Sequence, residues 1–156
     1  MDEAVRVIAR LKEKGLTLAT AESCTGGLLG KRLTDVAGSS AVYLGGVISY
    51  AYAVKEALLG VDAALLREKG AVCAEVAEQM ACGIRERLQA DGALSTTGNA
   101  GPGVDEKNPN VGEIYVACAS ESGTICQKLQ RSGTREENRL AAARAALTLL
   151  LQGNDA

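Results

Sequence analysis

The chain has 156 residues, the usual size of one folded domain, so residues 1–156 are read as a single domain. Its 17 basic and 19 acidic side chains leave a net charge of −2 with no cluster of five or more Lys/Arg, which disfavours general nucleic-acid binding and anionic-membrane binding. It has no histidine, which excludes Ser-His-Asp and Cys-His catalysis, and no Phe or Trp, so its core must be packed from Leu, Val, Ile and abundant Ala.

In chain order, Val5, Ile8 and Leu11 stand at helical spacing over residues 3–14, and Gly15 stops that helix. A strand starts at Leu16 and runs into Thr20-Ala21-Glu22-Ser23-Cys24-Thr25-Gly26-Gly27, after which Leu28 to about Val36 has a helical pattern. Gly38-Ser39-Ser40 is a turn. Residues 41–51 read as a strand interrupted by Gly45-Gly46, a pairing that suggests a bulge or a close approach by another backbone or a ligand. Residues 53–59 are helical up to Gly60, and Asp62 is a good N-cap for a short helix ending at Gly70. Val72, Val76, Met80, Ile84 and Leu88 form an amphipathic stripe read as core. Residues 93–97 look like a buried strand and 98–110 a loop. Residues 112–119 and 124–131 form a hairpin around Glu121-Ser122-Gly123, and Thr134 with Glu137 makes a capping box for a last helix running to about Gln152. This order predicts a three-layer α/β/α sandwich with a mixed sheet.

No apolar run approaches the roughly 20 residues that span a bilayer. The opening Met1-Asp2-Glu3-Ala4-Val5-Arg6 is acidic and helical rather than signal-like, so the cytoplasm is the expected location. Cys24, Cys73, Cys82, Cys118 and Cys126 form no C-x-x-C pair and read as free thiols. With no histidine to complete a zinc site, no metal or cofactor is expected.

Three loops are candidates for one site, because in open α/β sheets the loops beyond strand carboxyl ends line the ligand crevice. They are the Ser23 turn, Ser49-Tyr50 with Lys55 five residues on, and Thr96-Thr97-Gly98-Asn99-Ala100-Gly101-Pro102. Hydrolysis of an amide needs a nucleophile, a base, oxyanion donors and a proton for the leaving amine. Without imidazole, the base for a Ser23 nucleophile is a lysine, a tyrosine or a carboxylate. Lys55 serves if its surroundings lower its pKa from about 10.4 towards neutrality. Tyr50 can relay a proton or donate to the oxyanion, and the backbone N–H groups around Cys24, Thr25, Gly26 and Gly27 are natural oxyanion or phosphate donors. Each has a plainer alternative: Ser23 as a helix N-cap, Tyr50 as a half-buried strand residue, Lys55 as a solvated helix lysine. Arg135 and Arg139 lie four apart in the first turns of the last helix and suit a phosphate or carboxylate, or else pair with Glu136 and Glu137.

These motifs together resemble the C-terminal domain of CinA-type competence/damage-inducible proteins. The match runs through Thr20–Gly27, Gly38-Ser39-Ser40, Gly45–Tyr50, Lys55, Leu59-Gly60-Val61, Thr97-Gly98-x-Ala100-Gly101-Pro102 and Gly133-x-Arg135-x-x-x-Arg139, and covers nearly the whole chain. The resemblance implies a three-layer α/β domain and a nicotinamide mononucleotide deamidase, which gives nicotinate mononucleotide and ammonia. It implies Ser23, Tyr50 and Lys55 as catalytic residues, a small nucleotide as ligand, no metal, and a homo-oligomer. The chain reads as the stand-alone form of this domain. Candidates for gripping the substrate are Cys24, Thr25, Gly26, Gly27, Gly46, Thr97, Gly98, Arg135 and Arg139. Three positions depart from the family pattern: Ala51-Tyr52 replaces a polar pair, Asn99 replaces Ile, and residues 103–108 replace an Asp-Gly-Gly run. The rival expectations are a non-catalytic nucleotide-binding module and an interaction domain tied to competence or damage response.

Overall fold

The computed structural model describes residues 2–153. Helix α1 (Glu3–Lys14) is opened by the Asp2 carboxylate, which accepts from the Ala4 N–H, and is closed by Gly15 in the left-handed conformation. Strand β1 spans Leu18–Glu22 and starts later than its apolar pattern suggests, because the Leu16 N–H is used on the Leu11 carbonyl to finish the helix. Next come α2 (Leu28–Thr34), a short 3-10 turn (Ser39–Ala41), β2 (Tyr43–Ile48) and α3 (Tyr52–Leu59). Then follow α4 (Ala63–Lys69), α5 (Ala74–Leu88), β3 (Gly92–Gly98), β4 (Glu113–Ser120), β5 (Gly123–Gln130) and α6 (Arg135–Gln152). Asp62 caps α4 and the Thr134/Glu137 box caps α6, as the sequence predicts.

The five strands lie in the order β2-β1-β3-β4-β5. β1 pairs in parallel with both β2 and β3, while β4 and β5 are antiparallel additions, so the sheet is mixed. Alternation along the strands sorts the core by side-chain size. Leu18, Leu94, Ile114, Val116 and Cys118 cluster with α1, α2 and α6. The opposite face carries Ala19, Ala21, Ala93, Ala117 and Ala119, and there α5 packs onto alanines with Val76, Met80 and Ile84. This is a three-layer α/β/α sandwich, and its Ala-rich face lets α5 lie close on the sheet without aromatic filling. Of the expected stripe, Leu88 ends α5 and stands 37% exposed, outside the core.

Gly45-Gly46 does two jobs in β2. The β1–β2 register slips between Leu18 and Ala19, which bulges the strand at Leu44. A Cβ on Gly46 would lie 2.3 Å from the Thr20 carbonyl oxygen, so only glycine allows this approach. Because β1, β2 and β3 are parallel, their carboxyl ends lie along one edge of the sheet, and the chain leaves that edge at Ser23, Ser49 and Asn99. Among the described residues no helix is long and apolar enough to cross a membrane.

Candidate active site

The Ser23 turn is pinned to the sheet edge from both sides. The Ser23 N–H donates to the Thr96 carbonyl at 3.0 Å, and the Ser49 N–H donates to the Glu22 carbonyl at 2.7 Å. Behind the turn, Glu22 is 3% exposed, and its carboxylate accepts from the N–H groups of Gly27, Leu29 and Gly30 and from the Thr25 hydroxyl. A carboxylate from β1 therefore occupies the amino end of α2, where an anionic ligand would otherwise sit. Gly26 and Gly27 have φ of +57° and +105°, which turns the chain back over this carboxylate. From the other side, Arg139 donates through Nε to the Cys24 carbonyl at 3.0 Å and through a terminal nitrogen to the Thr25 carbonyl at 2.9 Å. A Cβ on Gly26 would meet that guanidinium at 2.8 Å.

In front of the turn, Lys55 projects from the first turns of α3 and is only 1% exposed. Its Nζ donates to Ser23 Oγ at 2.8 Å and to the Ser49 carbonyl at 2.5 Å, and among the described residues no carboxylate lies within ion-pair distance of it. Burial disfavours the ammonium form and pulls the pKa of Lys55 down from 10.5 to about 8. The neighbouring Cys24 thiol is pushed up to about 12 by burial, which keeps it protonated and a poor nucleophile beside Ser23. Ser23 is not the N-cap of α2: that position is Gly27, and it has no side-chain cap. Among the described residues the Cys24 N–H makes no hydrogen bond to another backbone group, and it directly follows Ser23 in the chain.

Ser23, Cys24 and Lys55 line a cleft of about 320 Å³ that Tyr50, Tyr52, Thr97, Gly98, Asp105 and Arg135 also border. Tyr50 is 63% exposed, and its hydroxyl accepts from Arg135 at 3.0 Å rather than meeting Ser23 or Lys55. Arg135 also donates to the Gly101 carbonyl at 2.8 Å, so the two side chains form one edge of the opening. Gly98 and Thr97 both border the cleft, and the Thr97 hydroxyl donates to the Ala71 carbonyl at 2.8 Å. Thr25, Gly26, Gly27, Gly46 and Arg139 do not line the cleft. Thr25, Gly26, Gly27 and Arg139 build the turn from behind, and Gly46 lies between strands. The two arginines expected to act as a pair thus serve different places, Arg135 the opening and Arg139 the backbone of the turn.

The sequence pattern of the CinA C-terminal domain matches residues 2–153. The chain belongs to this family. A CinA-like protein of Geobacter sulfurreducens is 51% identical over 144 residues, covering 92% of this chain and 35% of its own length. One of Desulfotalea psychrophila is 46% identical over 140 residues, covering 90% and 34%. The chain therefore spans about a third of the length of these curated relatives. Among solved structures, the competence/damage inducible protein CihA of Agrobacterium tumefaciens superposes with a TM-score of 0.91 at 39% identity, over 96% of this chain and 92% of that one. A CinA superfamily protein of Escherichia coli gives a TM-score of 0.93 at 31% identity, over 96% and 87%.

Within this CinA-type fold, sequence reasoning missed Glu22, which holds the turn without touching a reacting atom. Glu22 was legible only as an acid ending an apolar strand just before a turn that lacks a capping side chain. The three departures from the family pattern are linked by hydrogen bonds. Buried Asn99 donates to the carbonyls of Asn108 and Asn110 and accepts from the Asp105 N–H, while the Tyr52 hydroxyl donates to Asp105 Oδ1 at 2.6 Å. Nothing in their sequence spacing announces that contact.

Proposed function

We propose that this chain is a cytoplasmic amidohydrolase of pyridine-nucleotide salvage, converting nicotinamide mononucleotide to nicotinate mononucleotide and ammonia. The observation that carries this reading is a buried lysine amine, with its pKa drawn down to about 8, placed 2.8 Å from a serine hydroxyl in a cleft. A serine becomes a nucleophile when an adjacent base can take its proton, and a lysine does so only when desolvated.

In its neutral form Lys55 takes the Ser23 proton while Oγ attacks the carboxamide carbon. The proposed donor to the resulting oxyanion is the Cys24 N–H, the backbone group that follows Ser23. Tyr50, whose oxygen accepts from Arg135, keeps its own proton free to donate to the oxyanion or to relay. The Lys55 ammonium then protonates the departing nitrogen, the C–N bond breaks, and ammonia leaves an acyl ester on Ser23. Lys55 next takes a proton from water, whose oxygen attacks the ester, and nicotinate mononucleotide departs as Ser23 regains its proton. Arg135 stands at the opening, where it suits the phosphate.

The test is ammonia release from nicotinamide mononucleotide by the purified, metal-stripped protein, with Ser23→Ala and Lys55→Ala alongside. Release by the wild type that both variants abolish is the expected result. Binding of the nucleotide without release would replace this reading with a non-catalytic binding module.

A further inference from the structure

Tyr52 and Asp105 line the cleft and are not used by the hydrolytic steps. Tyr52 and Lys55 lie three apart on α3, on neighbouring positions of one helical face, with Cβ atoms roughly 5–6 Å apart. A flat ring whose carboxamide sits on Ser23, beside Lys55, therefore reaches Tyr52. The Tyr52 hydroxyl fixes Asp105 at 2.6 Å, and Asn99 fixes the Asp105 backbone at 2.8 Å, so the carboxylate is held in place before any ligand arrives. The second Asp105 oxygen accepts from the Lys107 N–H at 3.3 Å and lies against Gly70, where any Cβ would collide with it. Among the described residues lining the cleft, Asp105 carries the only carboxylate. With Lys55 neutral in its working state, the cleft lining carries two fixed charges, the Asp105 carboxylate and the Arg135 guanidinium at the opening.

We infer that Tyr52 and Asp105 form a subsite for a cationic heteroaromatic ring, selecting a pyridinium over its neutral counterpart. An aromatic face and a carboxylate both attract a ring that carries positive charge, and both do so more strongly away from bulk water. The charged nitrogen of a nicotinamide nucleotide is meta to the carboxamide, within reach of both groups once the amide is on Ser23. This inference rests on the deamidase reading for the identity of the ring, and it adds which redox form of that ring is taken.

The experiment compares nicotinamide mononucleotide with its reduced dihydropyridine form, which keeps the amide, ribose and phosphate but has a neutral ring. Both kcat/KM for ammonia release and calorimetric binding are measured, for wild type, Asp105→Asn and Tyr52→Leu. Asp105→Asn keeps the oxygen that accepts from Tyr52, and Tyr52→Leu is the second route should that loop not fold. Wild type is expected to prefer the cationic form by about tenfold or more, and each variant to reduce that preference to about threefold or less. Ammonia release with an unaltered preference in both variants overturns the subsite and leaves the deamidase reading standing. A binding preference that the variants erase, with no ammonia release from either form, supports the subsite and overturns the reading.

Discussion

The back and the front of the Ser23 turn are built on opposite terms. Behind it, Glu22 accepts from four donors, and Arg139 covers the carbonyls of Cys24 and Thr25. In front, Lys55 is buried with a serine hydroxyl and one carbonyl for partners. A buried amine so poorly compensated costs stability, and its surroundings respond by drawing its pKa down. The fully bonded back is what holds such a front in place: strain-free support lies on one side of the chain and unspent chemistry on the other. Substitutions at the front should therefore alter rate more than stability, and those at the back should do the reverse.

The largest expected effect is at the front. Ser23→Ala should lower kcat/KM by about a thousandfold or more and unfolding free energy by only about 1 kcal/mol, the cost of taking one of two hydrogen-bond partners from the Lys55 amine. Loss of stability comparable to a core substitution would break the comparison.

Next is the linkage of Lys55 to pH. Its pKa is about 8 folded and 10.5 when unperturbed, so between those values the unfolded chain holds a proton that the folded chain has released. Wild-type stability should rise across that window by about 3 kcal/mol, and the full penalty should be present at neutral pH. Lys55→Met should lack this rise and be the more stable protein at pH 7, as read by urea denaturation at pH 7 and pH 10. Parallel curves for the two proteins would mean that the amine is not desolvated.

At the back, Glu22→Gln keeps the shape but replaces a charged acceptor with a neutral amide that also brings donors. It should cost about 2 kcal/mol of unfolding free energy, with activity falling only as the turn loosens. The smallest effect is at the rim: Arg135→Met should raise KM for the phosphorylated substrate about tenfold and leave the urea midpoint within error.

Much of the fold was legible because it rests on periodicity. Val76, Met80 and Ile84 repeat at helical spacing, and the Thr134/Glu137 box marks the start of α6. Gly45-Gly46 gave both the bulge and the close backbone contact. The errors fall at ends. Leu88 continues the stripe in sequence but extends past the core, and Leu16 serves the helix stop rather than the strand. The candidate site was legible as residue types but not as geometry. Ser23 and Lys55 are 32 residues apart, and their meeting depends on the parallel pairing of β1 with β2, which no local pattern encodes. Arg135 and Arg139 share a helical face, yet one helical turn sends one to the opening and the other beneath the turn. The Tyr52–Asp105 contact joins a helix start to a loop and carries no signal in either segment.

In the proposed reaction Lys55, its pKa drawn down to about 8 by burial, is the base for Ser23. The measurement that meets it most directly is the pH dependence of kcat/KM for ammonia release from nicotinamide mononucleotide between pH 6 and pH 10, in wild type and Lys55→Ala. Such a profile reports the titration of the free enzyme's essential base. A rise of about tenfold per pH unit that levels off near pH 8 is expected in the wild type, and no such rise in the variant. A flat wild-type profile, or a variant that keeps both the rise and the rate, would contradict it.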